Sequence, residues 1–390
     1  MEIPGNGFAY LQHLREKTNE ERQSFSRFER YLEDKAREKG TPIRGQFELT
    51  PLCNFDCKMC YTHLAADQLE GHQVMQVSEW KDLMKQAYEM GMYKVTLTGG
   101  ECLSYPGFKD LYLYLNELGC NVTVLTNGYL LDDEWIEFFT RYKPELIRVT
   151  LYGSSEEDYE RVTGHRGFAR VCRNIDRIKE ADIPLTISVT PNRYLGEAVL
   201  DTIRVAKSKN KSVLISAGLF DPKEETGRSG QKDDLDTDEY LEIYKLLETI
   251  EGREIVEIDE KDLPPIGGKC AGCSGKGTEK GLLEKGLMCG GGRSSFVIDW
   301  KGTMLACNRF RVVEGHPREE GFAKAWEKVN HVCANWPRVS ECEECAYRWT
   351  CTLCAANMLG YAEPGKQPVE MCERVRYLVK NGVWHIPECD

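Results

Sequence analysis

From Gln46 to Ala217 the chain alternates short β-rich runs with amphipathic helical patterns, and no other feature limits its fold as strongly. The runs are Phe47–Thr50, Val95–Thr98, Val122–Thr126, Ile147–Leu151, Leu185–Thr190 and Val213–Ala217. They are rich in Val, Ile, Thr and Leu, and the β-branched side chains among these suit a pleated, half-buried surface. Between them, apolar residues recur at helical spacing over Ser78–Met90, Phe108–Leu118, Asp133–Tyr142, Gly167–Ala181 and Leu195–Ser208. Strands joined by helices run parallel, because the crossover carries the chain back to its starting end. Six such repeats predict an α/β fold whose barrel stops short of the eight strands needed for closure.

The flanks differ from this core. Residues 8–40 are highly charged, with Phe8, Leu11, Leu14, Phe25, Phe28, Tyr31 and Leu32 at helical spacing, and predict one or two surface helices over a 1–45 segment. After the barrel region, 46–263, a polar stretch Asp221–Asp238 reads as a loop and Thr237–Ile250 as a helix. Residues 264–390 then hold eleven of the seventeen cysteines, so a second domain is placed there. A net charge of −12 argues against a nucleic-acid partner. No apolar run reaches membrane-spanning length, and the N-terminus lacks the basic-then-apolar order of a signal peptide. A cysteine-rich acidic chain of this kind is expected in a reducing, cytoplasmic setting, binding metal rather than forming disulfides.

Cys53, Cys57 and Cys60, in LTPLCNFDCKMCYTH, follow the first strand. Three thiolates so close together can hold three irons of a [4Fe-4S] cube, whereas electron-transfer ferredoxins supply four. In parallel β/α folds the chemistry lies at the C-terminal ends of the strands. There the second strand ends in Thr98-Gly99-Gly100-Glu101, and the third in Thr126-Asn127-Gly128. Glycines allow close backbone approach, and a carboxylate beside them can accept hydrogen bonds from an ammonium group.

This constellation resembles the radical S-adenosylmethionine (SAM) family. The resemblance implies that the open iron is chelated by SAM and that Thr98, Gly99, Gly100 and Glu101 surround its amino group. It further implies that Asn127 lies at the site, that Thr150 and Arg161 contact the SAM carboxylate, and that Met59 lies where an aromatic residue usually meets adenine. Cys102, Cys120 and Cys172 have no ligand spacing and read as core. Among the C-terminal cysteines, Cys289, Gly302-x4-Cys307, Cys342, Cys345, Cys351, Cys354 and Cys372 resemble the SPASM domain that follows many radical SAM enzymes.

The whole is then a partial (β/α)6 TIM barrel with a small Cys-rich SPASM domain, carrying three [4Fe-4S] clusters. By position, Cys342, Cys345, Cys351 and Cys372 would bind an outer cluster. Cys289, Cys307 and Cys354 would bind an inner one, with Cys270 or Cys273 as fourth ligand or with an iron left open. Cys342, Cys345, Cys351 and Cys354 are also spaced for a closed zinc site.

The family chemistry is reductive cleavage of SAM to a 5'-deoxyadenosyl radical that abstracts hydrogen from the substrate. With this domain order, a ribosomally made peptide or protein is the leading substrate, and an oxygen-sensitive oxidoreductase needs a flavodoxin- or ferredoxin-type reductant. The N-terminal segment reads as helix without strands, so leader recognition is assigned to another surface or a separate protein. Sulfatase-type formylglycine maturation is disfavoured, because Asn308 stands where those enzymes carry a basic Asp. A small alcohol or sugar dehydrogenase, or a non-catalytic Fe–S or zinc scaffold, are the other readings. Tyr152, Asn308 and Arg309 are further candidates to line the site.

Overall fold

The computed structural model describes residues 19–69, 73–216, 226, 235–268 and 286–386, apart from 344, 349 and 352. Cys270, Cys273 and Cys389 lie outside the described residues. The chain divides into two compact units, 1–234 with 292–330, and 235–291 with 331–390.

The first unit is built on one sheet, in the order β6-β5-β4-β3-β2-β1-β7-β8-β9. Strands β1 (Arg44–Glu48), β2 (Lys94–Thr98), β3 (Asn121–Thr126), β4 (Leu146–Thr150), β5 (Leu185–Val189) and β6 (Val213–Ile215) are all parallel to their neighbours. The six expected strands are therefore present, within three residues at each end. Helix α1 (Asn19–Lys39) precedes them, where helix was expected. The connections carry α2 (Val77–Glu89), α3 (Phe108–Glu117), α4 (Asp133–Arg141), α5 (Glu156–Thr163), α6 (Phe168–Glu180) and α7 (Ala198–Lys209). Helix α5 was not expected as a separate element. Ser155 starts it by accepting a hydrogen bond from the Asp158 amide, and Gly164 ends it in the left-handed region (φ 68°).

Strands β7 (Ser295–Ile298), β8 (Met304–Leu305) and β9 (Glu314–Gly315) extend the same sheet beyond β1, with β7 parallel to it. Residues 292–330, grouped with the C-terminal domain from their sequence, thus belong to the barrel unit. The chain passes into the second unit at Leu235 rather than at Leu263.

The two faces of the sheet differ. Phe47 packs edge-on against Trp80 of α2 and against Phe296, so it faces the helices. Val149 lies against Gly128 and, with it, Val171 of α6. Their neighbours on that face, among them Leu97, Val122, Val124, Ile147 and Ile187, are buried. Alternation then puts Gln46, Thr96, Thr123, Arg148 and Thr186 on the opposite face, where all are half-buried. A closed barrel fills its interior with branched aliphatics. The corresponding lumen face of this sheet is largely polar, with Leu125 and Leu146 among its apolar members.

In the second unit, α8 (Thr237–Ile250) and α10 (Val369–Lys380) flank two small cores. Helix α9 (Phe322–Ala334) comes between them in sequence. One core contains Leu263, Tyr347, Val375 and Val379. The other contains Leu241, Leu378 and Val383. The Tyr347 hydroxyl donates to the Pro264 carbonyl (2.7 Å), and Glu260 pairs with both Arg376 and Lys380. Among the described residues no helix is long and apolar enough to cross a membrane.

Candidate active site

The loop after β1 is held from several sides. Phe55, 2% exposed, is surrounded by Tyr129, Tyr152, Tyr159 and His165, with ring centroids 5.4–6.3 Å away. The amides of Asp56 and Lys58 donate to the carbonyls of Thr163 and Val162 at the end of α5 (2.9 and 3.0 Å). These contacts set the loop's path without using its thiols. Cys53 Sγ accepts from the Phe55 amide (3.3 Å), and Cys60 Sγ from the His63 amide (3.2 Å).

Burial, then the charges of Glu101 and Cys60, push the Cys53 thiol up to about 12. A lone thiolate is therefore disfavoured in this position, whereas a metal cation would stabilise it. Among the described residues, no three His, Cys, Asp or Glu side chains close tightly enough for a single metal ion. A cube spreads its thiolates over separate irons and does not require such closeness.

Gly99 and Gly100 bring the end of β2 onto this loop. A Cβ on Gly99 (φ 146°) would meet the Thr50 carbonyl at 2.5 Å, and one on Gly100 would meet the Leu52 carbonyl at 2.3 Å. The Gly100 and Glu101 amides donate to those same carbonyls (2.6 and 2.9 Å). The glycines thus serve a backbone-to-backbone approach within the chain, next to Cys53. Sequence reasoning had assigned that closeness to a ligand.

Glu101, 1% exposed, accepts from the Thr126 hydroxyl (2.8 Å) and from the amides of Asn127 (2.8 Å) and Leu103 (3.1 Å). Burial raises its pKa above the ordinary carboxyl value despite these three donors. The Cys102 thiol adds a long contact to Oε1 (3.9 Å), while Oε2 takes the Asn127 amide and keeps a lone pair for an ammonium group. Asn127 donates to Asn54 Oδ1 (2.8 Å) and more weakly to Cys53 Sγ (3.6 Å). It therefore ties the end of β3 to the cysteine loop.

Thr150 ends β4, opposite Ser188 of β5. Arg161 binds its own chain through Nε to the Tyr194 carbonyl (2.7 Å), and through Nη2 to Asp158 (2.5 Å) and the Leu195 carbonyl (3.2 Å). Its other terminal nitrogen remains for a ligand. Thr98 is buried at the end of β2, and Met59 is half-buried in the cysteine loop. Tyr152 lies close enough to Cys57, Cys53 and Cys60 that their charges add to burial in raising its phenol well above 10.

A second constellation escaped sequence reasoning. Glu48 is fully buried at the lumen side of β1 and accepts from the Tyr61 hydroxyl (2.7 Å), which in turn accepts from the Asn308 amide (2.9 Å). The signal was available as a carboxylate placed between two apolar residues, Phe47 and Leu49, both of which are fully buried. Burial and then the Glu48 charge raise the Tyr61 phenol.

In the second unit Cys342, Cys345, Cys351 and Cys372 line one pocket of about 330 Å³, with Tyr347, Leu353 and Gln367. Burial, then the charges of Cys372, Cys351 and Cys345, push the Cys342 thiol up to about 12. Similar causes push Cys372 up to about 11. Four thiols this close disfavour one another's charged forms, which a cationic cluster would relieve. Cys354 is not among the lining residues. Cys289 is exposed and Cys354 half-buried. In the first unit Cys307 Sγ accepts from the Phe310 amide (3.2 Å). Cys102 and Cys120 are buried, and Cys172 is also in the core. None of the described cysteines is paired in a disulfide.

Comparison with known proteins adds to this geometry. Residues 47–206 match the radical SAM superfamily. The AdoMet-dependent heme synthase of Methanosarcina barkeri is 23% identical, over 82% of this chain and 92% of that protein. The sporulation killing factor maturation protein SkfB of Bacillus subtilis is 28% identical over 42% of this chain, which spans 39% of SkfB. In fold the chain is similar to Streptococcus suis SuiB bound to S-adenosylmethionine, with a TM-score of 0.62 at 16% identity, covering 86% of this chain and 78% of SuiB. SuiB bound to its precursor peptide SuiA superposes with a TM-score of 0.61.

Proposed function

We propose that this chain, which carries a radical SAM domain across residues 47–206, oxidatively modifies a ribosomally made peptide. The carrying observation is the fixed cysteine loop beside Gly99-Gly100-Glu101 at the C-terminal ends of β1 and β2, next to a largely polar lumen face. When bound, the cluster and SAM supply one-electron cleavage of a sulfonium bond and a 5'-deoxyadenosyl radical that takes hydrogen from the substrate.

The chain's own residues do the rest. Cys53, Cys57 and Cys60 would hold three irons. Thr98, Glu101 and Asn127 would form the cradle for the SAM amino group, with Gly99 and Gly100 keeping that strand end against the cysteine loop, and Thr150 with the remaining Arg161 nitrogen would meet its carboxylate. Met59 would serve the adenine. Phe55 and its aromatic neighbours keep the loop in one conformation and water away from the cluster.

The four-thiol pocket of Cys342, Cys345, Cys351 and Cys372 fits an auxiliary cluster, through which an electron could leave after hydrogen abstraction. Its composition favours the cluster set over the zinc set that includes Cys354. The SPASM resemblance alone offers Cys289, Cys307 and Cys354 for a second auxiliary cluster. The peptide reading is supported by SkfB, a maturation protein of the sporulation killing factor, and by the SuiA-bound form of SuiB. A reducing, cytoplasmic setting with a flavodoxin- or ferredoxin-type donor suits the free thiols.

Anaerobic reconstitution tests this reading. Roughly twelve irons per chain, as three cubes, and 5'-deoxyadenosine formed with SAM and reductant are expected. A precursor peptide from the neighbouring genes should lose two hydrogens by mass spectrometry. One zinc without SAM cleavage would sink the proposal. A second reading, radical oxidation of a small molecule, draws on the heme synthase match, which extends over more of this chain than the SkfB match does. SAM cleavage that is stimulated by a porphyrin, and by no peptide, would select it.

A further inference from the structure

Arg148 stands in the middle of β4 on the lumen face, between the helix-facing Ile147 and Val149. In register it lies between Leu125 of β3 and Thr186 of β5. Neither residue offers a charge, and Thr186 already shares a hydrogen bond with Ser212 (2.8 Å). The Arg148 Nε atom is buried without a hydrogen-bond partner among the described residues. No ion pair joins the guanidinium there either, and no described carboxylate offsets the burial that lowers its pKa.

Other partly buried cations in this unit are matched. Lys94 pairs with Glu29 and Glu145, Lys209 with Asp176, and Arg161 with Asp158. Arg148 as a whole is half-buried, but its Nε is cut off from solvent, and a charge so placed is costly unless paired. Arg148 is therefore a cation held in the lumen with its planar fork unmet, a form suited to bidentate carboxylate recognition.

We propose that Arg148 anchors a carboxylate entering the barrel lumen. It rests on the lumen geometry and deepens the radical-enzyme reading by naming an acidic group on the bound molecule. Two sources share this chemistry. One is an acidic side chain or C-terminus of the substrate. The other is the methionine carboxylate of SAM, since Thr150 lies two residues further along the same strand face. Lumen residues Gln46, Thr96 and Thr123 bring no competing carboxylate. Glu48 accepts a hydrogen bond from Tyr61.

Differential labelling of the reconstituted full-length protein with phenylglyoxal, mapped by mass spectrometry, tests the assignment. Arg148 should be modified in the unliganded protein. Protection by SAM, but not by decarboxylated SAM, assigns the carboxylate to the cofactor, with a roughly 10- to 100-fold loss of SAM affinity in Arg148→Gln. Protection by glutarate but not glutaramide, with SAM present and SAM affinity unchanged in the variant, assigns it to the substrate. Labelling unaffected by any of these compounds, or glutaramide protecting as well as glutarate, overturns the proposal.

A stability measurement keeps the test independent of ligand choice. Removing an uncompensated cation should raise the thermal midpoint of the unliganded protein in Arg148→Gln, and a lowered midpoint would show a structural role instead. Formation of 5'-deoxyadenosine by the wild-type preparation is scored separately. Its absence sinks the radical-enzyme reading, whereas the glutarate arm still decides the role of Arg148.

Discussion

Cys53, Cys57 and Cys60 share one short loop, whereas Cys342, Cys345, Cys351 and Cys372 are gathered from a short helix (Ser340–Glu343), the segment after it and α10. The first set is positioned by groups that are not ligands, namely the Phe55 plug and amide bonds to the end of α5. The second lines a small pocket beside a core with four buried side chains among the described residues. The difference suggests a division of labour. A site that must leave one iron open needs its geometry fixed by the surrounding protein. A site with four thiols can be closed, and its metal can itself contribute to folding.

The largest predicted effect separates the two sites by activity. Replacing Cys53, Cys57 and Cys60 with Ala should abolish 5'-deoxyadenosine formation and remove about a third of the iron. Cys345→Ala should leave SAM cleavage in place but lose iron, lower the thermal midpoint and block net product formation. If the two variants behave alike in the cleavage assay, the division between an open and a closed site fails.

Phe55→Ala sharpens the comparison from the structural side. Truncating this buried ring should cost about 3–5 kcal/mol of stability in urea unfolding of the iron-free protein. Tyr347→Ala, beside the four-thiol pocket, should cost the iron-free protein less than it costs the iron-loaded one. An equal loss in both states would mean that the second site is as preformed as the first.

Much of the barrel was legible because it is local. The strand runs and the helices between them carry their own periodicity, and the cysteine loop and Gly99-Gly100-Glu101 follow them at fixed offsets. Strand β7 was not legible, since its pairing with β1 joins residues far apart in sequence and nothing in SSFVIDW names its neighbour. Helix α5 was missed because its run EEDYERVT has few apolar residues, and its capping residue Ser155 gave the only sign. The roles of Glu48 and Arg148 depend on which strand face they occupy, and that of Phe55 on the rings packed around its loop. Both are three-dimensional facts.

Glu101 gives a smaller effect with a definite pH signature. Its folded pKa lies above the ordinary carboxyl value because burial outweighs its three donors. The unfolded chain therefore releases this proton first, and stability falls as pH rises from the unfolded pKa toward the folded one. Glu101→Gln should abolish that part of the pH dependence. The Gln amide can replace only part of the acceptor set, since its NH2 group opposes an amide donor, so a net loss of about 1–3 kcal/mol at neutral pH is expected. Denaturant midpoints of both proteins across the acidic range would check this, and parallel profiles would remove Glu101 as the titrating group.

Arg161 should give the smallest effect. Its side chain is 44% exposed, and its bond to Asp158 is screened by solvent. Arg161→Gln should therefore cost no more than about 1 kcal/mol of stability. The two carbonyl contacts at Tyr194 and Leu195 nevertheless tie α5 to the turn before α7, and α5 in turn carries the carbonyls that hold the cysteine loop. If Arg161 acts only through that tether, Arg161→Gln and Asp158→Asn should weaken SAM binding equally. If its remaining nitrogen meets the SAM carboxylate, Arg161→Gln should weaken binding further than Asp158→Asn, and decarboxylated SAM should erase the difference.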